Sequence, residues 1–104
     1  MKKAVVYVHE IRAGVLFEEE FGRYGFTYDV AYNLEPISLT MPIGHRRYSF
    51  SSFPPFFEGL LPEGIMLEGL LRMNKIDIND YFSQLIAVGG DLVGAVTVKA
   101  AANE

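Results

Sequence analysis

Apolar and polar side chains alternate most regularly from Phe26 to Tyr32, where Phe26, Tyr28, Val30 and Tyr32 interleave with Thr27, Asp29 and Ala31. A period of two is that of a half-buried strand, and the segment is read as one. Before it, Lys3 to Val8 is apolar and β-branched, turn-prone positions run from His9 to Gly14, and Val15, Leu16 and Phe17 form a second apolar run. That order predicts a hairpin or strand pair. After it, Asn33 to Pro36 supplies a turn and Ile37 to Met41 a further strand, stopped by Pro42-Ile43-Gly44; Tyr48 and Phe50 add a short one.

The pattern changes at Ser51-Ser52-Phe53-Pro54-Pro55, where hydroxyls suited to capping precede prolines suited to a first helical turn. A short helix through Phe56, Phe57 and Leu60 follows. Pro62 ends it and opens a second helix, with Glu63 in the new first turn near the positive end of the dipole. This helix is expected to run to about Met73 and end at Asn74. At about 100° per residue, Met66, Leu67, Leu70, Leu71 and Met73 fall on one broad face, read as the core side, with Leu70 buried. Glu68 and Arg72 lie opposite, and Ile65 falls with them. Ile65 is thus either an idle exposed residue or a contact for a partner, which Gly64 and Gly69 would let approach closely. A third helix begins near Asp77, with Ile76 and Tyr81 as a hydrophobic staple, and Gly89-Gly90 ends it. Leu92 to Val98 returns to the sheet. Strands, then helices, then one strand predict an α+β fold, a small antiparallel sheet with about three short helices gathered on one side, in a single domain over residues 1–104.

A chain of 104 residues, half of it hydrophobic, supports one core, and six Tyr and eight Phe enlarge the area each residue can bury. The absence of cysteine removes disulfides, thiolate zinc sites and cysteine nucleophiles, and fits a reducing, cytoplasmic setting. His9, Glu10 and Arg12 break the first apolar run too early for a signal peptide, and no stretch has membrane-spanning length. The net charge is −4 and the nine Lys and Arg are scattered along the chain, which disfavours direct nucleic-acid binding.

Candidate chemistry is sparse. Glu18-Glu19-Glu20 reads as a solvated run, since adjacent carboxylates do not converge on one ion without distant partners. His9 and His45 have no recognisable partner pattern. Val88-Gly89-Gly90-Asp91 follows a helix and precedes a strand, the reverse of a nucleotide-binding loop. No catalytic, cofactor-binding or metal-binding residue is assigned, and the chain is expected not to be an enzyme. The alternative from another class is a small hydrolase using the acidic residues near Glu18 or the His45 region.

Phe56-Phe57-Glu58-Gly59-Leu60-Leu61-Pro62-Glu63-Gly64 resembles the hallmark segment of the HipA N-terminal domain family. The same family pattern is approached by Ala13-Gly14-Val15-Leu16, Phe26 and Tyr28, Ile37-Ser38-Leu39-Thr40-Met41-Pro42 and Gly90-Asp91-Leu92-Val93-Gly94-Ala95-Val96, so the resemblance spans about Ala4 to Val98. In HipA-like proteins this domain precedes a serine/threonine kinase core and packs against it. The chain carries no phosphate loop with its lysine, no catalytic Asp with its Asn, and no metal-binding Asp motif, so kinase activity does not carry over. The resemblance implies a freestanding, HipS-like antitoxin that binds a shortened HipA-like kinase (HipT-like) non-covalently, alongside a HipB-like helix-turn-helix protein. The expected contact is Leu61, Pro62, Glu63, Gly64, Ile65 and Met66. Binding that completes the kinase rather than blocks it, and a fragment of a longer kinase, are the other readings of the same resemblance.

Overall fold

His9 and Glu10 both take positive φ (50° and 67°) and form the whole turn between β1 (Lys2–Val8) and β2 (Ile11–Glu18). A two-residue turn with both φ positive matches the right-handed twist of its strands. The hairpin is therefore tighter than the turn-prone stretch to Gly14 predicted, and Ile11 to Gly14 belong to β2. A bulge between Val6 and Tyr7 accommodates one extra residue of β2. β3 (Tyr24–Tyr28) pairs with β2, β4 (Arg47–Phe50) with β3, and β5 (Val96–Ala100) with the free side of β1. The sheet is antiparallel throughout, in the order β4-β3-β2-β1-β5. The computed structural model describes residues 2–92 and 94–101; Val93 of the expected last strand and the tail 102–104 lie outside the described residues.

β3 ends at Tyr28, so the strand expected to reach Tyr32 is cut short, and Val30 is 96% exposed. The strand expected over Ile37 to Met41 is instead part of an irregular loop, 29–46. Side chains there do the work of a ladder. The Tyr28 hydroxyl donates to the Met41 carbonyl and accepts from the Ile37 N–H, Tyr32 donates to the Glu35 carbonyl, and Tyr48 donates to the Pro42 carbonyl. Arg46 Nη1 reaches the Tyr32 carbonyl at 2.6 Å and the Asp29 carbonyl at 3.3 Å. With backbone groups satisfied this way, the segment needs no strand neighbour. Tyr32 keeps the apolar period because its ring stacks on Tyr28, centroids 6.0 Å apart.

The helices are α1 (Pro55–Glu58), α2 (Gly64–Asn74) and α3 (Tyr81–Val88). Neither Ser51 nor Ser52 caps α1; Pro54 occupies its N-cap and Pro55 its first turn. α2 starts two residues after Pro62, with Glu63 at the N-cap rather than inside the helix. α3 starts at Tyr81, not near Asp77, because Asp80 is the cap: its carboxylate accepts from the Ser83 N–H at 3.1 Å and the Ser83 hydroxyl at 2.7 Å. That cap puts the expected Ile76 and Tyr81 staple out of register. Burial alone would raise the Asp80 pKa, but the two bonds from Ser83 and the Lys2 ammonium hold it below the usual carboxylate value. A single 3-10 turn, Gly89–Asp91, follows α3, and β5 begins at Val96 rather than Leu92.

The core lies between one sheet face and the helices. Ala4, Val6, Leu16, Phe26 and Val98 project from the sheet onto Phe57 of α1 and Phe82 and Leu85 of α3. Gln84 is buried with them, its amide donating to the Asp77 and Ile78 carbonyls. α2 contributes no buried residue. Leu67, Leu70 and Leu71 are only half-buried, and Met66 and Met73, expected on a core face, are exposed.

Candidate partner-binding surface

The segment Leu61 to Met66 begins at the core and ends in solvent. Leu61 is partly buried and packs against the core, Pro62 is partly buried, and Glu63 to Met66 are exposed. Glu63 is extended, and Gly64 takes φ +60°, a conformation L side chains rarely adopt. This turn-in-place sends the chain into α2 with Ile65 outward. Ile65 is 84% exposed, Met66 76% and Met73 84%.

At 100° per residue Ile65, Gly69 and Met73 stack at i, i+4 and i+8 with Met66 beside them, one outer arc about 100° wide. Leu67, Leu70 and Leu71 make the arc that leans inward. The apolar face read from sequence as one surface is thus two, and the spacing of Ile65, Gly69 and Met73 was the signal for the outer one. Around Gly69 there is open space where a Cβ would stand, so the strip has a shallow middle. Ile78, beyond the helix end, is also exposed.

Residues suspected of acid–base chemistry are scattered. Glu18 lies at the end of β2, 4.0 Å from Lys2. His9 is 3.4 Å from Glu35 on the hairpin turn, and the His45 ring lies 5.5 Å from that of Tyr48. The pKa values that move upward are those of Tyr24, Tyr28 and Tyr32, in each case chiefly by burial. Their hydroxyls belong to core and loop. Among the described residues no group of three or more His, Asp and Glu is placed to hold a metal ion, and no helix is long and apolar enough to cross a membrane.

Five antiparallel strands, helices on one face and a helix presenting apolar side chains outward define a small α+β domain. A family model described as the HipA N-terminal domain matches residues 4–99, and the chain belongs to that family. An uncharacterized protein of Haemophilus influenzae (strain ATCC 51907 / DSM 11121 / KW20 / Rd) is 28% identical over 99 residues, 95% of this chain and 92% of that protein. Among solved structures, the N-terminal domain of HipA toxin superposes with a TM-score of 0.79 at 25% identity, covering 100% of this chain and 96% of the other. The similarity is to the N-terminal domain, not to a kinase catalytic domain.

Proposed function

We propose that this domain is an antitoxin that binds a HipT-like serine/threonine kinase toxin non-covalently and holds it inactive in the cytoplasm, in a complex that includes a HipB-like helix-turn-helix protein. The observation that carries the reading is the outward strip of α2: an isoleucine and two methionines stand in solvent on a helix whose inward leucines are only half-buried. Clustered exposed apolar side chains of this kind mark partner surfaces, and flexible methionines adapt to a partner pocket. Family membership supports a kinase toxin as the partner, since the matching domain in the solved relative comes from a HipA toxin.

In the proposed complex Pro62, Glu63 and Gly64 bring the first turn of α2 against the kinase, with Ile65 and Met66 entering an apolar pocket. Hot-spot contacts of this sort are central, desolvated and few. The domain itself performs no phosphoryl transfer. The test is co-expression with a HipT-like kinase: the expected result is a co-purifying complex whose kinase activity is lower than that of the kinase alone. A complex that phosphorylates faster than the free kinase would make the domain a completing subunit instead. Failure to co-purify would remove the antitoxin reading.

A further inference from the structure

The chain holds no cysteine, so its side-chain sulfur is confined to four methionines, Met1, Met41, Met66 and Met73. The three among the described residues divide by environment. Met41 is 3% exposed and belongs to the core cluster with Phe26 and Tyr28. Met66 and Met73 stand in solvent on the outer arc of α2. Seven residues separate them, so at about 100° per residue they lie within about 20° of one line along the helix, with a rise of about 10 Å between them. Gly69 adds no side chain to cover that line, and the space where its Cβ would stand is open.

A thiol must ionise before it attacks an oxidant, but a thioether has no proton to lose. Exposure therefore decides which methionine reacts. The product matters as much as the access, because a sulfoxide replaces a soft apolar side chain with a polar, chiral one. On a side chain surrounded by water that change costs the fold little. In an apolar pocket the new oxygen must give up its water without gaining a donor, which opposes binding.

We propose that Met66 and Met73 form a redox-sensitive modification site: hydrogen peroxide converts both exposed thioethers to sulfoxides, and this releases the HipT-like kinase, a consequence that rests on the antitoxin reading of the same strip. A sulfur lone pair attacks one peroxide oxygen, and the O–O bond breaks as the S–O bond forms. The departing hydroxide takes the proton left on the transferred oxygen and leaves as water, so the sulfur loses the two electrons that the peroxide gains. Methionine sulfoxide reductases, one for each sulfoxide epimer, reverse the step: two thiols become a disulfide and the oxygen leaves as water. Met41 is spared because peroxide reaches it only when the core opens.

The full chain is treated with hydrogen peroxide and mapped by peptide mass spectrometry over time. Met66 and Met73 should each gain one oxygen at least about tenfold faster than Met41, and the doubly oxidised chain should melt within a degree or two of the parent. Its affinity for the HipT-like kinase, measured by calorimetry, should fall at least about tenfold, and a mixture of both reductases with dithiothreitol should restore it. The Met66→Leu, Met73→Leu chain keeps Met1 and Met41, and its affinity, whatever its starting value, should be the same before and after peroxide. Oxidation of Met41 as fast as of Met66 and Met73, or an unfolded oxidised chain, would overturn the site. Untreated and doubly oxidised chains that bind the kinase equally would overturn the release and leave the antitoxin reading standing, as would an equal peroxide-induced loss in the double variant. An untreated chain that does not bind the kinase would overturn the release together with the antitoxin reading.

Discussion

The sheet with its two packed helices and the helix α2 are both rich in apolar residues, but they place them differently. Phe26, Phe57, Leu85 and Val98 are enclosed, whereas α2, with five Leu, Ile and Met between Ile65 and Leu71, encloses none. Enclosure in the first region follows from strand register, which forces alternate side chains onto one face against α1 and α3. α2 has no such register: it rests on α3 through one arc, where Leu67, Leu70 and Leu71 are half-buried, and its chain ends in the left-handed Lys75 cap, φ 54°. Hydrophobicity on this chain thus serves stability in one region and stands partly in solvent in the other, where the proposed contact lies.

The largest effect on stability should come from the enclosed region. Phe57 is fully buried, and its ring centroid lies 6.1 Å from that of Phe26. Phe57→Ala should cost about 3–5 kcal/mol in urea unfolding, a large share of the about 5–15 kcal/mol by which a domain is stable. Leu70→Ala, half-buried on α2, should cost far less. Equal costs for the two would erase the distinction between the regions.

A smaller effect is expected where the loop 29–46 joins the core. Tyr28→Phe keeps the ring but removes the hydroxyl that serves both the Met41 carbonyl and the buried Ile37 N–H. Leaving those groups unpaired should cost about 1–3 kcal/mol. If the loop instead tolerates the change, water or another side chain replaces the hydroxyl, and the loop's order does not depend on its tyrosines.

These residues also explain what could and could not be read from sequence. β1, the Val15 to Phe17 half of β2, β4, the α+β order and the end of α2 were legible because each follows from local period or a local stop. The strand expected through Tyr32 was not, because Tyr32 keeps the apolar spacing by stacking on Tyr28 across a turn. Ile37 to Met41 was misread because its backbone partners are side chains distant in sequence. For the candidate site, the outward position of Ile65 followed from helical phase, but Met66 and Met73 were assigned inward. That placement depends on where α2 rests on α3, which is tertiary information.

A third effect, of about 1 kcal/mol, belongs to the Asp80 cap. Asp80→Ala should cost that much near neutral pH. Because the folded carboxyl has a pKa below its ordinary 3.8, its charge contributes stability above about pH 4, and the contribution is lost as pH falls through the folded value. Asp80→Asn retains a capping oxygen without the charge. Its stability deficit against the parent should therefore shrink as the pH is lowered from about 5 toward 2. A deficit independent of pH would mean that the cap works as a hydrogen-bond acceptor alone.

The smallest effect on stability should come from Ile65, and there the two regions separate most sharply. Ile65→Asp places a charge where water already surrounds the side chain, on the first turn of a helix whose dipole favours an acid. The melting temperature should stay within a degree or two of the parent. Affinity for the HipT-like kinase should nevertheless fall at least about tenfold, since about 1.4 kcal/mol is less than truncating an apolar anchor usually costs. Met73→Asp, two turns along the same strip, should fall between the parent and Ile65→Asp if the contact is centred on the first turn. Reversal of that order would move the centre of the contact toward the C-terminal end of α2. Unfolding of Ile65→Asp would mean that α2 is held to the domain through the face assigned here to solvent, and the contrast between the two regions would fail.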